Sequence, residues 1–206
     1  MNNKYTLILT ASLLSGCSTF NLDSFKDITK SLNFNSNINT FNYDEIQSKA
    51  LILNLNNNSN DVFKLQASNN SLNRWVNENE LSLTAFNGKL LRSTGYNNNF
   101  KIVYNSRFID LLYKDGGYID TFISFTHPPS GILDIKYTYK LVKSGNIKMI
   151  YSSKFEDYDL IEESFVVPKI RWSGKNYYWL DKNKKVLKSK QIINPDGDRL
   201  YFEFIN

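Results

Sequence analysis

The residues of this 206-residue chain that could do chemistry are few. Cys17 is the only cysteine and His127 the only histidine, so neither a disulfide framework nor a Cys/His zinc cage can be built. His127 precedes Pro128 and Pro129 in a turn-like stretch, which reads as a surface loop rather than as the base of a nucleophilic site. There is no G-x-S-x-G and no glycine-rich phosphate loop. Carboxylates are more plentiful: Glu156, Asp157, Asp159, Glu162 and Glu163 lie together, with Asp110, Asp115, Asp120 and Asp181 elsewhere. A glycosidase needs two acids about 5–10 Å apart with opposed pKa shifts. This cluster lies in and beside a predicted turn, where acids are solvated. Asp196-Gly197-Asp198 lacks the spaced ligands and closing Glu of a calcium loop and reads as a β-turn.

Aromatic residues carry the remaining signal. Trp172, Tyr177, Tyr178 and Trp179 fall within eight residues, beside Arg171 and Lys175. Aromatic faces stack on sugar C–H surfaces while neighbouring polar groups take the hydroxyls. Arg171, Trp172, Tyr178 and Trp179 are therefore the candidate glycan or partner contacts. The competing reading is core. In a strand, Tyr177 and Trp179 point one way and Tyr178 the other, so at least one of the two faces is expected to be buried.

These residues must be positioned by strands. The 13 Tyr and 14 Phe favour strands, and the 28 Asn, about one residue in seven, favour turns. Ile132 to Val142 alternates Leu133, Ile135, Tyr137, Tyr139 and Leu141 with Asp134, Lys136, Thr138 and Lys140, a half-buried strand. Asn87-Gly88 between two apolar runs predicts a tight hairpin. Ser106 to Tyr113 predicts a helical turn or two with Ser106 as cap. Ser144-Gly145-Asn146 predicts a turn into a strand at 147–155, and Pro168 is expected to separate strands 159–167 and 169–173. Ten to twelve short strands, with turns every eight to twelve residues, predict an all-β, mainly antiparallel barrel or sandwich with one or two short helices.

The N-terminus is an address. Lys4 and the free amine precede an apolar run from Tyr5 to Leu14, followed by Ser15-Gly16-Cys17. Ten residues of helix span about 15 Å, too short to cross a bilayer but suited to a signal peptide. Leu14-Ser15-Gly16-Cys17 resembles the bacterial lipoprotein signal. The resemblance implies cleavage before Cys17 and lipidation of its thiol and new amine, and Ser18 is permissive for the outer membrane. The predicted organisation is a signal peptide at 1–16, a lipidated, Asn-rich tether at 17–44 and an antiparallel β domain at 45–206. Cleavage removes one lysine and no acid, leaving 24 basic and 20 acidic side chains, net +4. That excess is mild, its densest run (Lys182, Lys184, Lys185, Lys188, Lys190) reads as an exposed hairpin, and nucleic acid is not an expected partner.

Two further segments carry a family resemblance. Trp75, then Leu81-Ser82-Leu83 and Asn87-Gly88-Lys89-Leu90-Leu91-Arg92-Ser93-Thr94-Gly95, is similar to a "tryptophan, then NGRLVRTxG" segment, with Lys89 where Arg is usual. Asn176-Tyr177-Tyr178-Trp179-Leu180-Asp181, then Val186 to Gln191 and Pro195, is similar to a "YWVD…V-x-x-S-x-Q…P" segment. In this order, behind a lipoprotein signal, they resemble the group 4 capsule polysaccharide lipoproteins of the YjbF/GfcB type. The resemblance implies a periplasm-facing outer-membrane lipoprotein that assists export or assembly of a capsule or exopolysaccharide. It would act by binding glycan or export proteins, with no catalytic residue and no cofactor beyond the lipid on Cys17. The alternatives are a glycan hydrolase or lyase using the acids near 156–163, and a structural envelope lipoprotein.

Overall fold

A computed structural model describes residues 49–55, 60–96, 98–113, 116–149 and 155–205. The predicted signal peptide, Cys17 and the 17–44 tether lie outside the described residues. Twelve strands form one ring: β1 (Ala50–Leu55), β2 (Asn60–Asn69), β3 (Leu72–Val76), β4 (Ser82–Phe86), β5 (Lys89–Thr94), β6 (Phe100–Ile102), β7 (Gly117–Phe125), β8 (Gly131–Lys148), β9 (Phe155–Val167), β10 (Trp172–Leu180), β11 (Val186–Ile192) and β12 (Arg199–Ile205). Each strand pairs antiparallel with its sequence neighbours, and β1 also pairs with β12, so the sheet closes into a barrel rather than a sandwich. Helix α1 (Arg107–Tyr113) links β6 to β7, and a 3₁₀ turn at Pro168–Ile170 links β9 to β10.

Local sequence explains most of these elements. Asn87 and Gly88 take φ of 44° and 81° in the two-residue β4–β5 turn, the conformation that such hairpins demand. Gly88 is required twice over, because a Cβ there would stand 2.6–2.9 Å from the Val186 side chain. Helix α1 forms where expected, but its cap is Asn105, whose Oδ1 accepts the Arg107 N–H at 3.0 Å. On β8, Leu133, Ile135, Tyr137 and Tyr139 point inward and are buried, while Ile132, Asp134, Lys136 and Thr138 point outward and are exposed.

Two predicted breaks do not occur. Ser144-Gly145-Asn146 stays inside β8, paired with β9 through Gly145 opposite Tyr158. The glycine is there for close approach: a Cβ would meet the Tyr158 hydroxyl at 3.1 Å. Pro168 does end β9 as expected, but 169–173 is not a separate strand and no break follows Ser173. Pro168 opens the 3₁₀ turn, Arg171 closes it at φ 53°, and β10 runs unbroken from Trp172.

The lumen is the core. Phe63, Trp75, Phe108, Tyr137, Phe165, Trp172, Tyr178 and Phe202 are buried together, and α1 adds Leu111 and Leu112. Charged side chains on the outward row of β8 and a lumen packed mainly with apolar and aromatic side chains differ from the pattern of a membrane-spanning barrel, which is apolar outside and polar within. On β10, β11, β12 and β1 part of the outward row is buried as well, including Tyr177, Trp179, Lys188, Tyr201 and Ile52, while Ser173, Lys175 and Arg199 are exposed.

Candidate functional site

One carboxylate organises the polar interior. Glu163 is inward on β9 and fully buried. Its Oε2 accepts from Lys89 Nζ at 2.5 Å and from the Tyr139 hydroxyl at 2.5 Å. Its Oε1 accepts from Asn176 Nδ2 at 2.6 Å and from the Tyr178 hydroxyl at 3.2 Å. Four donors saturate the four lone-pair positions of an ionised carboxylate. Lys89, 1% exposed, also lies 3.9 Å from the Tyr137 ring centroid and 4.9 Å from that of Phe108. Burial lowers its pKa, and Glu163 opposes that shift. Burial, then the Glu163 charge, raises Tyr137, Tyr139 and Tyr178 well above the ordinary tyrosine value.

Gln191 extends the cluster. Its Nε2 donates to the Gly88 carbonyl at 2.8 Å, and its Oε1 accepts the Leu90 N–H at 3.0 Å. It thus ties the Asn87-Gly88-Lys89-Leu90 segment to the C-terminal one across the lumen. The cavity beside Lys89, Asn176 and Gln191 is about 20 Å³, the size for one water molecule and far too small for a sugar.

The acids of 156–163 do not converge. They lie on β9, not in a turn, and alternate between its faces. Glu162 points outward to Lys140 at 3.3 Å and Lys175 at 3.1 Å, while its neighbour Glu163 points inward. Asp159 pairs with Lys184 and Ser144, each at 2.6 Å, and those bonds hold its pKa below the usual carboxylate value. Among the described residues of this cluster, no two carboxylates share a cleft. Asp196-Gly197-Asp198 is a turn, with the Gly197 N–H on the Asn194 carbonyl at 3.1 Å. His127 is exposed in the β7–β8 loop.

The aromatic run at 172–179 is placed in the body of the protein. Trp172 is inward, with its ring against Phe165 at 4.7 Å and Phe125 at 5.7 Å. Tyr178 is inward on Glu163 and fully buried, and Trp179 is outward but only 4% exposed. A polymer cannot stack on rings shielded to this degree. Of the four candidate contacts only Arg171 is exposed. In the lysine run the hairpin is present, but Lys188 and Lys190 are buried rather than exposed: Lys188 pairs with Glu203 at 3.2 Å and Lys190 lies over the Tyr201 ring.

Accessible aromatic and apolar groups gather elsewhere, on the outward rows of β7 and β8 and just past the end of β6. Tyr118 is 64% exposed, Phe122 46%, Ile132 74% and Val103 46%. Phe122 stands between two grooves. One, of about 410 Å³, is lined by Lys101, Val103, Ser124 and Ile132. The other, of about 460 Å³, is lined by Asp120, Asp134, Lys136, Pro168 and Lys169. An exposed ring between troughs, with carboxylates and ammonium groups on one side, has the chemistry to stack on an apolar ligand face and hydrogen-bond its polar edge. Sequence reading misses this face because the same alternation marks Phe122 and Ile132 as ordinary outward positions of half-buried strands.

The architecture defines a class: a closed, filled antiparallel barrel whose accessible chemistry lies on its outer wall. The chain belongs to the group 4 capsule polysaccharide lipoprotein family, GfcB and YjbF, whose model matches residues 35–205. Among solved structures it is similar to the hypothetical lipoprotein YmcC of Escherichia coli K12, at TM-score 0.69 and 16% identity over 92% of this chain and 97% of that one, a likeness of fold. An exported protein with a YmcC-like fold from Bacteroides fragilis matches at TM-score 0.35 and 10% identity, covering 76% of this chain and 93% of that one. No curated protein matches.

Proposed function

We propose that the protein is an outer-membrane lipoprotein that assists export or assembly of a capsule or exopolysaccharide by binding, without catalysis. Residues 1–16 direct secretion, acyl chains on Cys17 anchor the chain, and the barrel faces the periplasm. Two or more acyl chains suffice for stable anchoring where one does not. Family membership supports the polysaccharide setting and the lipoprotein character. The observation that carries the binding role is the contrast between lumen and wall. The lumen is packed around a saturated carboxylate, while the β6–β8 wall presents Phe122 between two open grooves.

The test is genetic and biochemical together. In a deletion strain, the wild-type gene should restore surface polymer and Phe122→Ala should restore much less, while the purified variant melts within about 2 °C of wild type, as expected for a half-exposed side chain. Normal polymer with a folded Phe122→Ala protein would remove this wall from the function. Shortening of purified polymer by the wild-type protein would replace binding with catalysis.

A further inference from the structure

Phe122 sits at the centre of a charge pattern fixed by strand register. Asp134 of β8 stands directly across from Phe122, and Lys136 stands across from Asp120, the next outward position of β7. On the other side, Lys101 of β6 stands across from Ser124. Lys101 and Lys136 therefore lie on opposite diagonals of Phe122, each about 7–8 Å away. Lys101, Asp120, Asp134 and Lys136 are all exposed. Among the described residues none of the four joins an ion pair, although Asp120 and Lys136 are cross-strand neighbours.

The two grooves beside Phe122 differ in sign. The one at Ile132 holds Lys101 and no carboxylate, with Val103, Phe122 and Ile132 as apolar walls. The other balances Asp120 and Asp134 against Lys136 and Lys169. An uncompensated ammonium over an apolar trough suits one negative charge carried on a half-apolar ring. Carboxylates beside ammoniums suit neutral hydroxyls, which both donate and accept.

We propose that this wall selects an acidic sugar: a pyranose bearing a carboxylate, stacked on Phe122 with its charge on Lys101, next to a neutral sugar whose hydroxyls meet Asp120, Asp134 and Lys136. This rests on the reading of the Phe122 wall as the binding face and adds the class of sugar. Phe122 cannot make that choice, because its ring stacks on the C–H face of an acidic or a neutral sugar alike. Lys101 makes it. A neutral sugar leaves the ammonium to water, whereas an acidic one gains a charge-assisted hydrogen bond. Asp120 and Asp134 repel a carboxylate from the second groove, so the charged unit has one place to sit.

The experiment uses the purified mature protein and surface polymer from the parent strain, intact and after chemical reduction of its carboxylates to alcohols. At low salt the intact polymer should bind about two- to five-fold more tightly than the reduced one, the range of an exposed ionic contact, and added salt should erase the difference. Lys101→Gln should abolish the preference and leave the affinity for reduced polymer unchanged, while Asp134→Asn should weaken both forms alike. A polymer without acidic sugars, equal binding of the two forms, or a preference that survives Lys101→Gln overturns the acidic-sugar assignment and leaves the wall as the binding face. No binding of either form, or Phe122→Ala binding both as tightly as wild type, overturns the wall itself and the assignment with it.

Discussion

Glu163→Gln preserves the shape of the side chain at the centre of the barrel and should still destabilise it severely. The native carboxylate accepts from Lys89, Tyr139, Asn176 and Tyr178, and every partner is a donor. A glutamine offers one oxygen and an amide that is itself a donor, so two of the four partners lose their acceptor. Each buried group left unsatisfied costs about 1–3 kcal/mol. Lys89, 1% exposed, is also left without its counter-charge, and breaking a buried pair from one side costs about 3–5 kcal/mol in all. The expected loss is about 4 kcal/mol, a large part of the 5–15 kcal/mol typical of a domain. At roughly 2–4 °C per kcal/mol for a body of this size, the melting point should fall by about 10 °C. Urea denaturation of the purified mature protein measures the same quantity. The pair is isolated by Lys89→Met alone and with Glu163→Gln, because the double variant no longer strands a charge. The double should be less destabilised than the sum of the singles by about 2 kcal/mol. A Glu163→Gln protein within 1 kcal/mol of wild type, or strict additivity in the cycle, would refute the reasoning.

Other expectations follow from the same structure. Gly88→Ala adds a Cβ 2.6–2.9 Å from Val186 at φ +81°, and should lower stability by about 1–3 kcal/mol in thermal melts, with partial rescue by Val186→Ala. Trp172→Ala and Tyr178→Ala remove buried rings and should each cost about 3–5 kcal/mol in denaturant titrations; a wild-type midpoint for either would place its ring outside the core. Burial and the Glu163 charge keep Tyr137, Tyr139 and Tyr178 protonated above the ordinary value of 10.0, so the folded state holds protons that the unfolded state releases. That contribution is whole below about pH 10 and is lost progressively as pH rises from there through the folded-state values. Phenolate absorbance should show these three titrating only as the barrel unfolds, and all tyrosines ionising near pH 10 in a folded protein would contradict the assignment. Cys17→Ala should leave an unprocessed precursor that partitions into the aqueous phase of a detergent extraction, whereas normal processing would sink the lipoprotein assignment.

What is legible in the sequence is local. The Asn87-Gly88 turn and the alternation of Leu133 to Tyr139 need only neighbouring residues, and both can be read from residue types and spacing alone. The β1–β12 pairing that separates barrel from sandwich joins Ala50 to Ile205, and no local pattern encodes it. Glycine is ambiguous for a physical reason. At Gly88 it supplies a positive φ, but at Gly145 and Gly174 it yields space to the rings of Tyr158 and Phe165, so two strands run on where breaks are predicted. Alternation also fails where both faces are buried. Asn176 to Leu180 is covered on both sides, which hides whether Tyr178 or Trp179 faces solvent. In β9, Glu162 and Glu163 look identical in sequence but face a solvated lysine pair and a sealed lumen respectively. The candidate surface at Phe122 carries no motif at all, because an exposed ring is a property of what does not pack over it.

A closed ring has no first or last strand to offer. Each strand of this barrel has a neighbour on both sides, although β6 is short and pairs with β5 only at Arg92 and Lys101 and with β7 only along Ile123–Phe125. An open sheet edge is a template for unwanted pairing with other strand-forming chains. Along the fully paired part of the ring the molecule offers no edge for strand addition. Recognition along the paired part of the ring goes through side chains of the wall, which can change by surface substitution while the hydrogen-bonded frame stays the same.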